Sequence, residues 1–261
     1  MEIKEIQNKE EWENFVLKQS YTLFVQSFKY GEFYKKMGES YWIFGLYENN
    51  VLVGGSLVIS VHAKRGNFLY IPYGPLIDIQ VEDRLKIFID FIKNFAKKNK
   101  YDFIRISPFI DDNENNRKIF KEVGLIEAPI HVLAETTWIL NLEQDEEKIL
   151  ANMNKNHRNL IRRCEKEGVI IKQMNDSKSI EEFNRLHDIT AQRHNFHRFS
   201  AEYIKNEFLS FVDSKEASIF HAYLRDKNLD SSAIIMMYGN MAAYRHGASL
   251  NLVKQIPSSY L

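Results

Sequence analysis

Apolar and polar positions repeat with two different periods along the chain, and the changes of period mark out its elements. Residues 10–19, EEWENFVLKQ, carry Trp12, Phe15, Val16 and Leu17 on or near one side of a helical repeat. SFKYGEFYKKMG follows as a short helix that stops at Gly38, because glycine readily takes the left-handed conformation past a helix end. The period then shortens. YWIFGLY, the turn ENN and VLVGGSLVIS read as a hairpin, and NFLYIPYGPLID reads as a third strand that leaves the sheet at Pro75. Positions 81–100 predict the clearest helix, apolar at 85, 87, 88, 91, 92 and 95 with lysines at its C-terminal end. The strand YDFIRIS (101–107) and the helix NNRKIFKEVG complete a unit whose order implies an α/β fold with a mixed sheet.

The second half repeats this plan. SIFHAYLRDKNLDSSAIIMMYG can be laid over WIFGLYENNVLVGGSLVISV, pairing Phe44 and Tyr47 with Phe220 and Tyr223, and Gly55-Ser56 with Ser231-Ser232 after one extra turn residue. Tyr70 and Gly74 then pair with Tyr244 and Gly247, one residue out of step. Two unrelated hairpins can match this loosely, so the alignment suggests a duplication without establishing it. It gives two similar domains, 1–142 and 143–261, meeting near ETTWILNLEQDEE. The chain ends on KQIPSSYL, where Pro257 and two serines read as the first turn of a helix. The second half also lacks a counterpart of the helix 81–100 and the strand 101–107. The second domain is therefore expected to be truncated and the chain to catalyse poorly by itself, with Ile234, Ile235 or Met237 exposed according to which sheet face loses its cover.

Charge and composition narrow the chemistry. The 261 residues include 35 Lys and Arg against 35 Asp and Glu, so no global field recruits a polyanion and any such site must be local. The single cysteine, Cys164, excludes an intramolecular disulfide and lies on the apolar side of a helical pattern with Leu160 and Ile161, as a buried structural thiol would. The N-terminus lacks the basic-then-apolar layout of a secretory signal, and no apolar stretch is long enough to span a bilayer. A soluble, cytoplasmic protein is expected. No zinc-ligand spacing and no glycine-rich phosphate loop is present, and no Arg/Gln-x-x-Gly-x-Gly/Ala turn of the kind that cradles acetyl-CoA. No cofactor is expected.

What remains is basic and aromatic. In NKNHRNLIRRCEKEG the residues Lys155, Arg158, Arg162 and Lys166 recur at three- and four-residue intervals, along one face of a helix. That face is either an ordinary solvated surface or a ridge that tracks phosphates. RHNFHR (193–198) puts two arginines and two histidines into six positions. Arg193 and His194 would end the helix IEEFNRLHDITAQ, leaving Asn195 to Arg198 in the connection to SAEYIKNEFLSFV. An arginine there either caps the preceding helix or offers its planar fork of donors to a phosphate, unspent on a helical surface pair.

FVQSFKYGEFYKKMG, YIPYGPLID, TTWILNL followed by NMNKNHRNLIRRCEKEGV, RHNFHRFSAEYI and AYRHGASL, in that order, resemble the FemABX family of aminoacyltransferases, in its compact form without a coiled-coil arm. Its members build peptidoglycan interpeptide bridges from aminoacyl-tRNA. The resemblance implies two domains of the GCN5-related acetyltransferase type and no use of acetyl-CoA. It also gives residues roles. Arg198 falls on an arginine that holds the diphosphate of the muropeptide precursor, with Tyr203 near an assisting tyrosine. Tyr30, Gly31 and Lys35 match a Trp-Gly-x-x-x-Lys segment whose lysine binds the same diphosphate, with Lys36 flanking and the register ambiguous by one residue. Tyr244 matches an aromatic position lining the substrate cleft, and Lys155, Arg158 and Arg162 would face the tRNA acceptor end or the cleft rim. Two departures stand out. Ser107 occupies the place of an aspartate proposed for proton transfer in some members, and Tyr73 replaces a basic residue before Gly-Pro. The general base is left unnamed.

The implied reaction needs no enzyme nucleophile, because the donor ester is already activated and a stem-peptide amine can attack it directly. The implied partners are an aminoacyl-tRNA and a UDP-linked or lipid-linked muropeptide precursor. A lipid-linked acceptor would bring the protein to the inner membrane face, and no DNA is involved. The same residues would serve two rivals: a GCN5-related N-acyltransferase acting on another amine, and a non-catalytic protein that binds RNA or the cell-wall precursor.

Overall fold

The computed structural model of the chain describes residues 1–64 and 66–261. They divide into two units, Met1–Thr136 with Tyr238–Met241, and Thr137–Met237 with Ala242–Leu261.

The first unit runs β1 (Glu2–Glu5), α1 (Lys9–Val16), α2 (Phe28–Lys36), β2 (Tyr41–Glu48), β3 (Val51–Ala63), β4 (Gly66–Pro72), β5 (Leu76–Ile77), α3 (Arg84–Lys98), β6 (Phe103–Ser107) and α4 (Glu114–Glu122). Its sheet has the order β1-β2-β3-β4-β6, with β5 also on β3. The pairs are antiparallel except β4 with β6. The hairpin β2–β3 turns on Asn49 and Asn50, both left-handed (φ 49° and 63°), a geometry whose twist matches the flanking strands and which asparagine tolerates. Asn8 and Ser27 cap α1 and α2 by accepting from free backbone amides of the first turn. Along α3 the apolar residues Leu85, Phe88, Ile89 and Ile92 fall on one stripe and bury against Phe44, Val58, Leu69 and Ile71 of the sheet. Each such side chain contributes on the order of 1.5–3 kcal/mol from burial. Trp12, Val16, Tyr30 and Phe33 of α1 and α2 are buried as well. The buried amide of Gln26 ties β3 to the end of β4, accepting from Leu57 N at 2.9 Å and donating to Pro72 O at 2.5 Å.

The second unit runs α5 (Glu146–Asn152), α6 (Lys155–Lys166), β7 (Ile170–Met174), α7 (Ser177–His194), α8 (Ala201–Val212), β8 (Ala217–Tyr223), β9 (Leu229–Tyr238) and β10 (Met241–Ser249). Its sheet has the order β10-β9-β8-β7. The succession β7-α7-α8-β8-β9-β10 repeats β1-α1-α2-β2-β3-β4, and the correspondence reaches single residues. The hairpin β2–β3 shifts register between Leu46 and Tyr47, and β8–β9 shifts between Ala222 and Tyr223. Past the shift Tyr47 faces Leu52 and Tyr223 faces Leu229, which is the one extra turn residue the sequence alignment required. Each of these tyrosines carries a lysine ammonium from the neighbouring edge strand, Lys4 at 5.5 Å and Lys172 at 5.3 Å from the ring centre.

Of the three apolar residues in question on β9, Ile234 is buried and Ile235 and Met237 are partly exposed. The helical turn expected at Pro257 is a three-residue 3-10 turn, Ser258–Tyr260. Buried Asp230 holds the segment that leads to it, accepting from Leu252 N at 2.7 Å and from Ser258 Oγ at 2.6 Å. Cys164 is fully buried, its Sγ 3.3 Å from Pro257 O, and burial pushes its thiol pKa up. No described helix is long and apolar enough to cross a membrane.

Candidate functional site

In the first unit, Lys35 and Lys36 occupy the last turn of α2 and both are exposed. Gly31 is required here because the Tyr41 ring lies directly on the helix backbone, where a Cβ would collide with it. Tyr30 belongs to the core, with its ring 5.2 Å from that of Tyr34. Tyr73 and Ser107 both line a cavity of about 580 Å³, which also receives Arg105 and Asn116. Its size suits a small ligand. Tyr73 is left-handed (φ 48°), a strained conformation for a bulky residue, and its ring stands 5.2 Å from Phe109. Arg105 Nη1 donates to Ile130 O at 2.6 Å.

In the second unit, α6 carries Lys155 and Arg162 as exposed residues. Arg158 does something else. Its Nη1 donates to Ala151 O at 2.8 Å and also to the carbonyl of Met153, so it closes the C-terminal end of α5. Arg158 is thus engaged with carbonyls of its own chain, whereas Lys155 and Arg162 are exposed. Tyr244 on β10 is exposed and lines a second cavity, about 330 Å³, with Phe220, Ala233 and Ile235.

The basic cluster 193–198 separates into three functions. Arg193 anchors the end of α7 to the end of β10, donating to Leu250 O at 2.7 Å and to Ser249 Oγ at 3.0 Å. Asn195 is the left-handed cap of α7 (φ 51°). Arg198 turns back onto α7. Its Nε and Nη2 both lie 2.6 Å from Asp188 Oδ1, and Nη1 donates to Asn184 Oδ1 at 3.1 Å and Phe199 O at 3.2 Å. The fork is thus engaged with Asp188 and Asn184, which lie one turn apart on α7. Tyr203 is brought close by, stacked on Phe199 with ring centres 4.5 Å apart and planes at 15°.

Beneath this connection lies a group of residues that the sequence reading missed. Glu207 on α8 is buried among Ile204, Phe208 and Phe211. It accepts from Arg245 Nη2 at 2.8 Å and Nε at 3.1 Å, and His246 Nε2 lies 3.1 Å away. Burial would raise its carboxyl pKa, but Arg245 and His246 outweigh that and hold it below the usual carboxylate range. His187 on α7, also buried, has its ring centre 6.0 Å from that of His246, and its Nδ1 has no hydrogen-bond partner among the described residues. Burial, with His246 and Arg198 adding to it, pushes its pKa down to about 4, so it is neutral at pH 7. A signal for Glu207 was present: a carboxylate at a position of α8 whose spacing to 204, 208 and 211 is that of the apolar stripe.

In chemical terms this part of the second unit presents a partly exposed arginine fork beside a stacked aromatic pair, over a largely buried charged network. Cys164 lies apart from it, buried with its Sγ 3.3 Å from Pro257 O.

Comparison with known proteins gives a consistent result. A family model described as the FemAB family matches residues 7–124 and 126–232. A Staphylococcus aureus protein described as Lipid II:glycine glycyltransferase is 23% identical over 232 residues, covering 81% of this chain and 55% of its own length. The chain thus spans about half the length of the curated relatives it matches. Among solved structures, one described as the crystal structure of FemX superposes with a TM-score of 0.81 at 17% identity, over 100% of this chain and 83% of that one. The structure of L-PGS from Bacillus licheniformis superposes with a TM-score of 0.50 at 13% identity, over 99% of this chain and 71% of that one. At these identities the two structures speak to the fold.

Proposed function

Because this chain belongs to the FemAB family, we propose that it is an aminoacyltransferase that transfers an amino acid from an aminoacyl-tRNA to an amine on the stem peptide of a peptidoglycan precursor. The observation that carries the reading is the Arg198 fork at the α7–α8 connection, flanked by the Phe199–Tyr203 stack. A guanidinium in that setting suits a diphosphate, which a planar pair of N–H donors matches bidentately. Asp188 fills the fork, and an incoming anion displaces it. Tyr203 adds an aromatic surface, and Lys35 and Lys36 offer exposed cations in the first unit. Tyr244, on its own cavity, is a further substrate contact, and Lys155 and Arg162 are the positions for tRNA phosphates. The two repeats are taken as the two domains.

In this reaction the acceptor amine, having lost a proton from its ammonium form, attacks the ester carbonyl of the donor. The C–N bond of the new amide forms, the C–O ester bond breaks, and the proton shed by the amine nitrogen goes to the leaving oxygen, which stays on the tRNA as a hydroxyl. The protein's tasks are to hold two large anionic substrates and to stabilise the developing oxyanion. The turn entering α3 argues against acetyl-CoA as the donor. It carries Glu82 and Asp83 and no glycine, so an anion approaching that helix end would meet two negative charges.

The experiment is incubation with muropeptide precursors, UDP-linked and lipid-linked in separate arms, and a mixed pool of charged tRNAs, followed by mass spectrometry of the precursor. A mass increase of one or more amino-acid residues that requires the tRNA pool is expected. Acetylation in a parallel arm with acetyl-CoA, and no aminoacylation, would overturn the reading.

A further inference from the structure

We propose that Glu207 is a positioning residue for Arg198, acting through Arg245, His246 and Phe199; this rests on the reading of Arg198 as an anion-holding residue. Glu207 is 1% exposed within the apolar stripe of α8, where an unpaired carboxylate would be strongly disfavoured. Arg245 Nη2 at 2.8 Å and His246 Nε2 at 3.1 Å make its ionised form tolerable. Buried ion pairs of this kind add little stability over an apolar packing of the same volume. What such a pair does supply is fixed geometry.

The geometry leads outward to Arg198. The guanidinium carbon of Arg245 lies 5.9 Å from the ring centre of Phe199, and the His246 ring lies 6.1 Å from it. Two groups anchored by Glu207 therefore lie beside Phe199, and Tyr203 stacks on it. Phe199 is the chain neighbour of Arg198, and its carbonyl accepts from Arg198 Nη1 at 3.2 Å. The remaining contacts of the Arg198 fork, Asp188 and Asn184, come from α7. The guanidinium is thus held between α7 on one side and, on the other, a backbone position that Glu207 sets.

The test is isothermal calorimetry of the full chain with inorganic pyrophosphate, comparing the wild type, Glu207→Gln, Arg198→Ala and the double variant. Glu207→Gln keeps the volume and loses the charge. It is expected to weaken pyrophosphate binding about tenfold, the lower end of what removing an outer partner of a binding residue costs. Arg198→Ala should weaken it at least as much, and adding Glu207→Gln to that background should change nothing further, because no guanidinium remains to be placed. A purely structural Glu207 would lower the melting temperature without this dependence on Arg198. Additive effects, or wild-type affinity in a folded Glu207→Gln protein, would overturn the inference. Wild-type affinity in Arg198→Ala would overturn it together with the reading of Arg198, and that arm tells the two failures apart. Should Glu207→Gln not fold, Phe199→Leu carries the same test without disturbing a buried charge. The same loss and the same non-additivity are expected, and unchanged affinity counts against the proposal.

Discussion

Asp188→Asn should make this protein bind anions more tightly. Arg198 presents Nε and Nη2 to a single oxygen of Asp188 at 2.6 Å, so the fork that would grip a diphosphate is already closed on a carboxylate. An incoming anion must break that pair. With charge centres about 4 Å apart, the attraction is roughly 4 kcal/mol at an effective dielectric constant of 20 and roughly 1 kcal/mol in bulk water. The Arg198 side chain is 11% exposed but that of Asp188 is 55% exposed, which places the pair toward the weaker limit, at about 1–2 kcal/mol. Asparagine keeps the shape and one acceptor while removing the charge. The gain in pyrophosphate affinity should therefore be about tenfold, the factor that 1.4 kcal/mol represents. Fold stability should drop by no more than the same roughly 1–2 kcal/mol that the pair contributes. Calorimetry at low and high salt reads both the affinity and its screening, and the difference between the variant and the wild type should shrink at high salt. Unchanged or weaker binding by a folded Asp188→Asn protein would refute the reasoning, since it would mean that the anion does not compete for this fork.

Arg158→Ala should lower stability by about 1 kcal/mol, the scale of a lost helix cap, because its Nη1 closes α5 at the carbonyls of Ala151 and Met153; chemical denaturation with no shift in midpoint would contradict that role. Replacing both Lys155 and Arg162 with alanine should reduce the slope of log affinity for single-stranded RNA against log salt by about 1.4, at roughly 0.7 per phosphate contact. An unaltered slope would return both to an ordinary solvated surface. His187, held neutral with a folded pKa of about 4 against its ordinary 6.5, takes up its proton in the unfolded chain first. Stability contributed by this site therefore falls as the pH drops from 6.5 to about 4 and levels off below. His187→Gln should lose less stability than the wild type over that window, and parallel pH curves would refute the assignment.

Period and punctuation in the sequence marked most of the elements and suggested their repetition, although β1, α5 and β7 drew no reading. Two left-handed asparagines close the first hairpin, Gly38 closes α2 and Asn195 closes α7 because these are local requirements of φ and of unsatisfied backbone groups, which neighbouring residues decide among themselves. The pairing of Tyr47 with Tyr223 was legible for the same reason: a register shift and one extra turn residue leave their mark in the spacing of apolar positions. The family likewise shows in ordered local segments. The partner of a charge does not. Arg158 and Arg162 share a helical spacing, yet one is spent on the carbonyls of α5 and the other is exposed, a difference that depends on where a second helix ends. Arg198 could be read either as a helix cap or as an unspent fork, and only the folding back of its connection onto α7 brings Asp188 within 2.6 Å of it. Glu207 could be read as an anomaly in an apolar stripe. Its meaning came from Arg245 and His246, 38 and 39 residues away on another element. Backbone conformation is governed by short-range sterics and hydrogen bonding, which a sequence window contains. The environment of a side-chain charge is set by desolvation and by groups distant in the chain, and only the tertiary structure brings those together.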